Sequence, residues 1–169
     1  IMDLVLNHSY GQSPFYLLYR DADGTPSADN PWYNRQSNIA NPSLSWGYDF
    51  NHDSPYTRAL VDSVAAYWMN EYRVDGFRYD FTKGFSNTIY SNANDYASAY
   101  DASRIANLKR MASEVWKRNP DAYVICEHLA DNTEEKELSS AGLMLWGNMN
   151  NNACEGAMGF TENSKSDIS

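Results

Sequence analysis

The chain has 169 residues, 43% of them hydrophobic, enough for one globular domain with a sizeable core and too apolar for a disordered segment. Against 13 Lys+Arg stand 22 Asp+Glu, a net charge of −9, which argues against nucleic acid or an anionic membrane as partner, because phosphate binding needs a basic patch. Cys126 and Cys154 make neither a disulfide framework nor a zinc spacing, and no apolar run reaches membrane-spanning length.

Ile1–Leu6 is a short apolar run that reads as a buried strand ending in Asn7-His8-Ser9. Residues 9–52 follow without a sustained period. They are rich in turn formers, and they carry nine aromatics between Tyr10 and Phe50. A structureless stretch of that length inside a compact domain is usually functional, so it is read as an inserted lobe over one end of the fold. Its aromatics have two uses, a small core of the lobe or platforms for a ligand.

Ser54-Pro55 reads as an N-cap followed by proline at the first helical position. Apolar residues then recur at helical spacing from about residue 55 to 72. The stretch Val74–Lys83 is a strand that ends in charge. Side chains alternate across it, so Val74, Gly76, Arg78 and Asp80 share one face, and Phe77, Tyr79 and Phe81 the other. A polar loop, 82–98, leads to a second helix over about 101–118, stopped by Asn119-Pro120.

Tyr123–Cys126 is another apolar strand, with Cys126 as a buried structural thiol, and it ends in Glu127-His128. Thr133, Glu134 and Glu135 open a short helix with negative charge at its positive end, and Gly142 stops it. Leu143–Trp146 is a fourth strand, followed by an Asn-rich loop and a polar tail, 161–169. Strand and helix alternate throughout, which predicts a parallel α/β sheet. No glycine-rich fingerprint follows any strand, so a dinucleotide site has no support. The chain opens in mid-strand and closes without a stop, as expected of a piece cut from a longer protein.

In parallel α/β folds functional groups gather at the C-terminal ends of strands. Three strands here end in polar clusters: Asn7-His8, Arg78 with Asp80, and Glu127-His128. Two carboxylates converging on one rim are what glycosidic hydrolysis needs. Arg78 shares a face with Asp80 and favours its charged form, making Asp80 the candidate nucleophile. Glu127 follows four apolar residues and is the candidate proton donor. Each residue also has a plainer use. A strand-terminal Asp beside Arg is often a structural ion pair, a strand-terminal His a hydrogen-bonded structural group, and a loop lysine a solvated charge. The joint pattern and its order give the functional reading its weight.

That joint pattern resembles the α-amylase family of retaining glycoside hydrolases. Asp3–His8 is similar to the family's first signature, Gly76–Lys83 to its second, and Val124–Glu127 to its third, in the family's order. Gly47–Asn51 is similar to a minor signature within the excursion. The resemblance implies a (β/α)8 TIM barrel, of which residues 1–169 hold roughly strands 3 to 6 of one catalytic domain, with 9–52 as the inserted lobe. It implies action on α-glucosidic bonds of starch-like glucans through a covalent glycosyl-enzyme, with Asp80 as nucleophile, Glu127 as acid/base and Arg78 orienting Asp80. Branching or transglycosylation, and glucan binding without catalysis, are alternatives within the same resemblance. It further implies substrate contacts from His8, Lys83, Tyr10 and His128, and a calcium ion at Asn7 and Asp49. The partners implied are an oligo- or polysaccharide, together with the remaining barrel strands or a second copy of this piece. Two departures stand out. Gly84-Phe85 follows Lys83 where most members carry histidine, and no third catalytic carboxylate matches within residues 128–169.

Overall fold

The computed structural model describes residues 1–147 and 150–159. In chain order the elements are β1 (Met2–Leu4), β2 (His8–Ser9), α1 (Pro14–Leu17), β3 (Tyr48–Asp49), α2 (Pro55–Tyr72) and β4 (Gly76–Tyr79). A 3-10 turn, Thr82–Gly84, is followed by α3 (Ala102–Trp116), β5 (Tyr123–Cys126), α4 (Asn132–Ser140), β6 (Met144–Leu145) and α5 (Asn150–Ala157). The central sheet runs β1-β4-β5-β6, all parallel. Its register sets Asp3 beside Arg78, and Arg78 beside Ile125. All the strands therefore deliver their C-terminal ends to one rim.

Local chemistry fixes the elements. Ser54 caps α2 by accepting from the Tyr56 amide, with Pro55 behind it, and the helix stops at Arg73, which turns into the left-handed region at φ 55°. Asp101 caps α3 by accepting from the Ser103 and Arg104 amides, bonds that with Ser86 hold its carboxyl far below the usual range despite its burial. β4 can lie against β5 because residue 76 is glycine: a Cβ there would sit 2.3 Å from the Tyr123 carbonyl oxygen. Phe77 and Tyr79 turn fully inward onto Leu108, Met111, Val115, Val124 and Leu138, which helices α3 and α4 and strand β5 contribute to one core. Cys126 lies in that core as expected, and burial pushes its thiol up to about 12.

The stretch between β1 and α2 is more ordered than its sequence period predicts. β2 and β3 pair antiparallel, His8 beside Asp49 and Ser9 beside Tyr48, so the excursion closes on itself at the rim. Tyr16, Tyr33 and Phe50 form a separate small core there, with Tyr33 stacked on Phe50 at 4.4 Å. Of the two uses open to the lobe aromatics, these three serve packing. Tyr10 and Trp46 stay exposed.

Three expectations change. Helix α4 opens one residue before Thr133, with Asp131 as its cap, and Glu134 points into the core. A helix, α5, occupies part of the Asn-rich stretch expected to be loop, where Ala153, Glu155 and Ala157 supply the helix-forming residues. Phe81 does not continue the aromatic face of β4. The chain leaves the strand at Asp80, and Phe81 takes φ 42°, which swings its ring to the rim. The polar tail, 161–169, lies outside the described residues.

Candidate active site

The rim is organised around Arg78. Its guanidinium is 12% exposed and holds three carboxylates. Nη1 donates to Asp3 Oδ1 and Asp80 Oδ1, each at 2.8 Å, and Nη2 lies 3.0 Å from Glu127 Oε2. Trp146 covers the guanidinium at 4.3 Å, a cation–π contact from the end of β6. Although burial opposes its charge, the bonds from Asp3 and Asp80 push the Arg78 pKa up. The sequence assigns Arg78 to Asp80 alone. The fold makes it a shared clamp, because β1, β4 and β5 end side by side. Asp3 is the residue the sequence reading left out. Its place opposite Arg78 in a parallel register is the signal that would have found it.

Asp80 and Glu127 therefore stand together on one guanidinium, with side chains 28% and 29% exposed. Asn7 adds to this group from the end of β1: its Nδ2 donates to the Asp80 carbonyl at 3.0 Å and reaches Asp80 Oδ2 at 3.4 Å. Glu127 Oε2 also accepts from the Phe81 amide at 3.1 Å. The left-handed turn at Phe81 is what aims that amide at Glu127, so a strained residue links the two carboxylates.

His8 stands half-buried beside Asp80. Its Nδ1 meets Asn7 Oδ1, an acceptor, so Nδ1 carries the proton and Nε2 remains an acceptor. Burial lowers its pKa, against the pull of Asp80, which keeps the ring neutral near pH 7. Tyr10 meets the ring edge-on at 5.4 Å and is 60% exposed. Both groups lie at the rim, His8 beside Asp80.

Lys83 and His128 are placed differently. Lys83 is buried, and its Nζ donates to the Tyr96 carbonyl at 3.1 Å and Ser98 Oγ at 2.8 Å, so it fastens the loop after β4. Burial lowers its pKa, with the Arg104 charge adding to the effect. His128 is 1% exposed. Its Nδ1 meets Thr82 Oγ1 at 2.9 Å and its Nε2 meets Glu134 Oε1 at 2.7 Å, which leaves no ring nitrogen for a sugar. The expected substrate contact at His128 is thus replaced by a supporting one. The cause is Glu134, drawn inward by Arg104, an arrangement that sequence spacing does not reveal.

The calcium expectation at Asn7 and Asp49 meets a similar obstacle. Asn7 Oδ1 is engaged by His8, and Asp49 Oδ2 accepts from Asn34 Nδ2 at 2.9 Å and the Asn38 amide at 3.1 Å. Burial pushes Asp49 up to about 6. Calcium takes roughly six to eight oxygen ligands, several of them charged. Among the described residues no group of three or more His, Cys, Asp or Glu side chains could hold a metal ion. Asn7 and Asp49 thus already have protein partners in this arrangement.

Beside the clamp lies a cavity of about 350 Å³, lined by Asp80, Glu127, Phe81, Lys83, His128 and Leu129 from the strand ends and by Leu44 and Trp46 from the lobe. A concave pocket with apolar walls and two convergent carboxylates fits a polar organic ligand with apolar faces.

No family model matches the chain. Alpha-amylase 3 of Dictyoglomus thermophilum is 28% identical over 142 residues, covering 75% of this chain and 26% of that protein. The 1,4-alpha-glucan branching enzyme of Vibrio parahaemolyticus is 30% identical over 118 residues, covering 62% of this chain and 14% of that enzyme. The chain thus spans about a quarter of the length of the first relative and less of the second. Among solved structures, Eubacterium rectale Amy13B superposes with a TM-score of 0.64 at 19% identity, covering 98% of this chain and 35% of that one. That likeness shows the fold, a (β/α)8 barrel to which this chain contributes consecutive parallel strands with helices between them. With that fold, those relatives, and three ordered motifs gathered on one rim, the chain resembles the α-amylase family.

Proposed function

We propose that these residues form part of the active site of a retaining glycosidase acting on α-glucosidic bonds of starch-like glucans. The observation that carries this is Arg78 holding Asp80 and Glu127 on the two ends of one guanidinium. Retaining enzymes need their two carboxyl groups close, about 5–5.5 Å apart, and a shared clamp keeps them near each other. Asp80 attacks the anomeric carbon as the glycosidic bond breaks, and Glu127 gives its proton to the departing oxygen. A covalent glycosyl-aspartate results. Glu127, now the base, takes a proton from water, whose oxygen displaces Asp80 and restores the carboxylate. Arg78 orients both groups throughout. His8 Nε2 accepts from a sugar hydroxyl, and Tyr10 offers a stacking face.

The chain covers a minor part of its relatives, so turnover belongs to the full-length protein, and residues 1–169 alone are expected to be inactive. Replacing Asp80 by Asn in the full-length protein should abolish release of reducing ends from amylose, since removal of the nucleophile removes the covalent step. An undiminished rate would refute the assignment. The 30% identity to a branching enzyme favours a second reading, in which a glucan hydroxyl replaces water in the second step. New branch linkages in the products would select it. Glucan binding by the full-length protein without turnover of any α-glucan would select a non-catalytic role.

A further inference from the structure

Trp46 is not used by the chemistry above. It keeps 39% of its surface exposed. Yet it is fixed in place. Its ring meets Phe81 edge-on at 5.0 Å and His8 at 5.9 Å. Gly47 follows at φ 56°, where a Cβ would sit 2.3 Å from the Ser9 carbonyl oxygen. The chain can therefore fold back along β2 directly after Trp46 only because residue 47 is glycine. The indole that results lines the same cavity as Asp80 and Glu127. Leaving a large aromatic exposed beside a charged pair forgoes the gain of burying it.

The cavity's chemistry says what the ring is for. Leu44, Trp46, Phe81 and Leu129 supply apolar surface, and Asp80 and Glu127 supply acceptors. A pyranose ring has that same division, with C–H faces and hydroxyl edges. We infer that Trp46 is the stacking platform for a glucosyl unit adjoining the bond to be cleaved, a binding contribution made by the lobe. The inference rests on the glucan-active reading and deepens it: the barrel strands supply the reacting groups and the lobe supplies the surface that orients the sugar. Phe81 acts as a positioning residue, supporting the indole while its own amide holds Glu127.

The test is calorimetric titration of maltoheptaose into the full-length protein carrying Asp80→Asn, alone and combined with Trp46→Ala or Trp46→Phe. Loss of one stacked aromatic face should weaken binding about tenfold in the Ala combination, with Phe restoring it to within about threefold. Equal affinity with and without Trp46 overturns the inference. So does equal loss in the Ala and Phe combinations, which marks a packing role specific to indole. Amylose turnover by the unsubstituted protein is read separately. An inactive protein whose affinity still depends on Trp46 sinks the hydrolytic reading and keeps the platform. An active protein indifferent to Trp46 does the reverse.

Discussion

Removing the carboxylate of Glu134 tests how the acid's strand is held. Arg104 and Glu134 are both fully buried. Arg104 Nε and Nη2 donate to the two oxygens of Glu134 at 2.6 and 2.8 Å. The same carboxylate accepts from the Asp101 amide at 2.9 Å and contacts His128 Nε2 at 2.7 Å. In Glu134→Ala, Arg104 keeps only the Ala97 and Ala99 carbonyls as close partners, at 2.9 and 3.0 Å. Breaking one side of a buried pair costs about 3–5 kcal/mol, because a charge is left uncompensated. Glu134→Gln keeps the shape but leaves the same Arg104 charge uncompensated and turns an amide NH2 toward donors, so it should cost a comparable amount. The assay is urea unfolding of the full-length protein followed by tryptophan fluorescence, with the slope checked for constancy. Lys109→Ala, which breaks the more exposed pair with Glu137, is the internal control and should cost less than about 1 kcal/mol. If Glu134→Ala behaves like that control, the buried network is not what fixes this end of the sheet.

Acid should act on the same region. Burial opposes ionisation of Glu134, but the bonds from His128 and Arg104 prevail and hold it at about 2, below its ordinary 4.5. Its share of stability is present above 4.5 and is lost as pH falls toward 2. His52, stacked on Phe85 at 4.1 Å, is held down to about 3 by burial, so the unfolded chain takes up a proton below 6.5 while the fold does not. Stability should fall progressively from pH 6.5 toward 3, seen as a dropping urea midpoint, and His52→Gln should flatten that fall. Gly76→Ala forces a Cβ onto the Tyr123 backbone and should cost about 3 kcal/mol or prevent folding. Gly47→Ala, whose Cβ would meet the Ser9 carbonyl oxygen, should both lower the urea midpoint and weaken maltoheptaose binding to the Asp80→Asn protein. With Asn7 and Asp49 already partnered, calcium or chelator should leave the midpoint unchanged, and a rise with calcium would support a metal there.

Much of the fold was legible because it is local. Helix α2 begins at Pro55 and ends at Tyr72, as its cap and apolar period predict, and the strands fall where apolar runs do. The strand ends carrying Asn7, Arg78, Asp80 and Glu127 followed from that alternation. What stayed hidden depends on pairing between distant segments. Arg104 and Glu134 look like surface charges of two amphipathic helices, and only their meeting across 30 positions makes both core residues. His128 changes role for the same reason. The β2–β3 pair is two residues long and has no period to detect. Phe81 reads as the next residue of an alternating face, because nothing in the sequence announces a left-handed turn at a phenylalanine.

These hidden contacts explain how an irregular loop can serve an ordered site. Residues 85–100 contain no helix or strand, yet they follow closely on Lys83, which lines the cavity. Arg104 donates to the carbonyls of Ala97 and Ala99, Lys83 holds Tyr96 and Ser98, and Asp101 accepts from Ser86 and Tyr90. The loop is tied by these charged groups as well as by packing, since Phe85 joins the main core and Tyr90 and Ala97 cluster with Ile39. The same network reaches Glu127 through His128, Thr82 and the Glu127 carbonyl, which accepts from the Thr82 amide and hydroxyl. Arg78 sets where the two carboxylates point, and Arg104 sets where the backbone carrying one of them lies. A substitution at Glu134 should therefore lower both stability and turnover, whereas one at Asp80 should lower turnover alone. Comparing those two variants separates the groups that react from the groups that hold them.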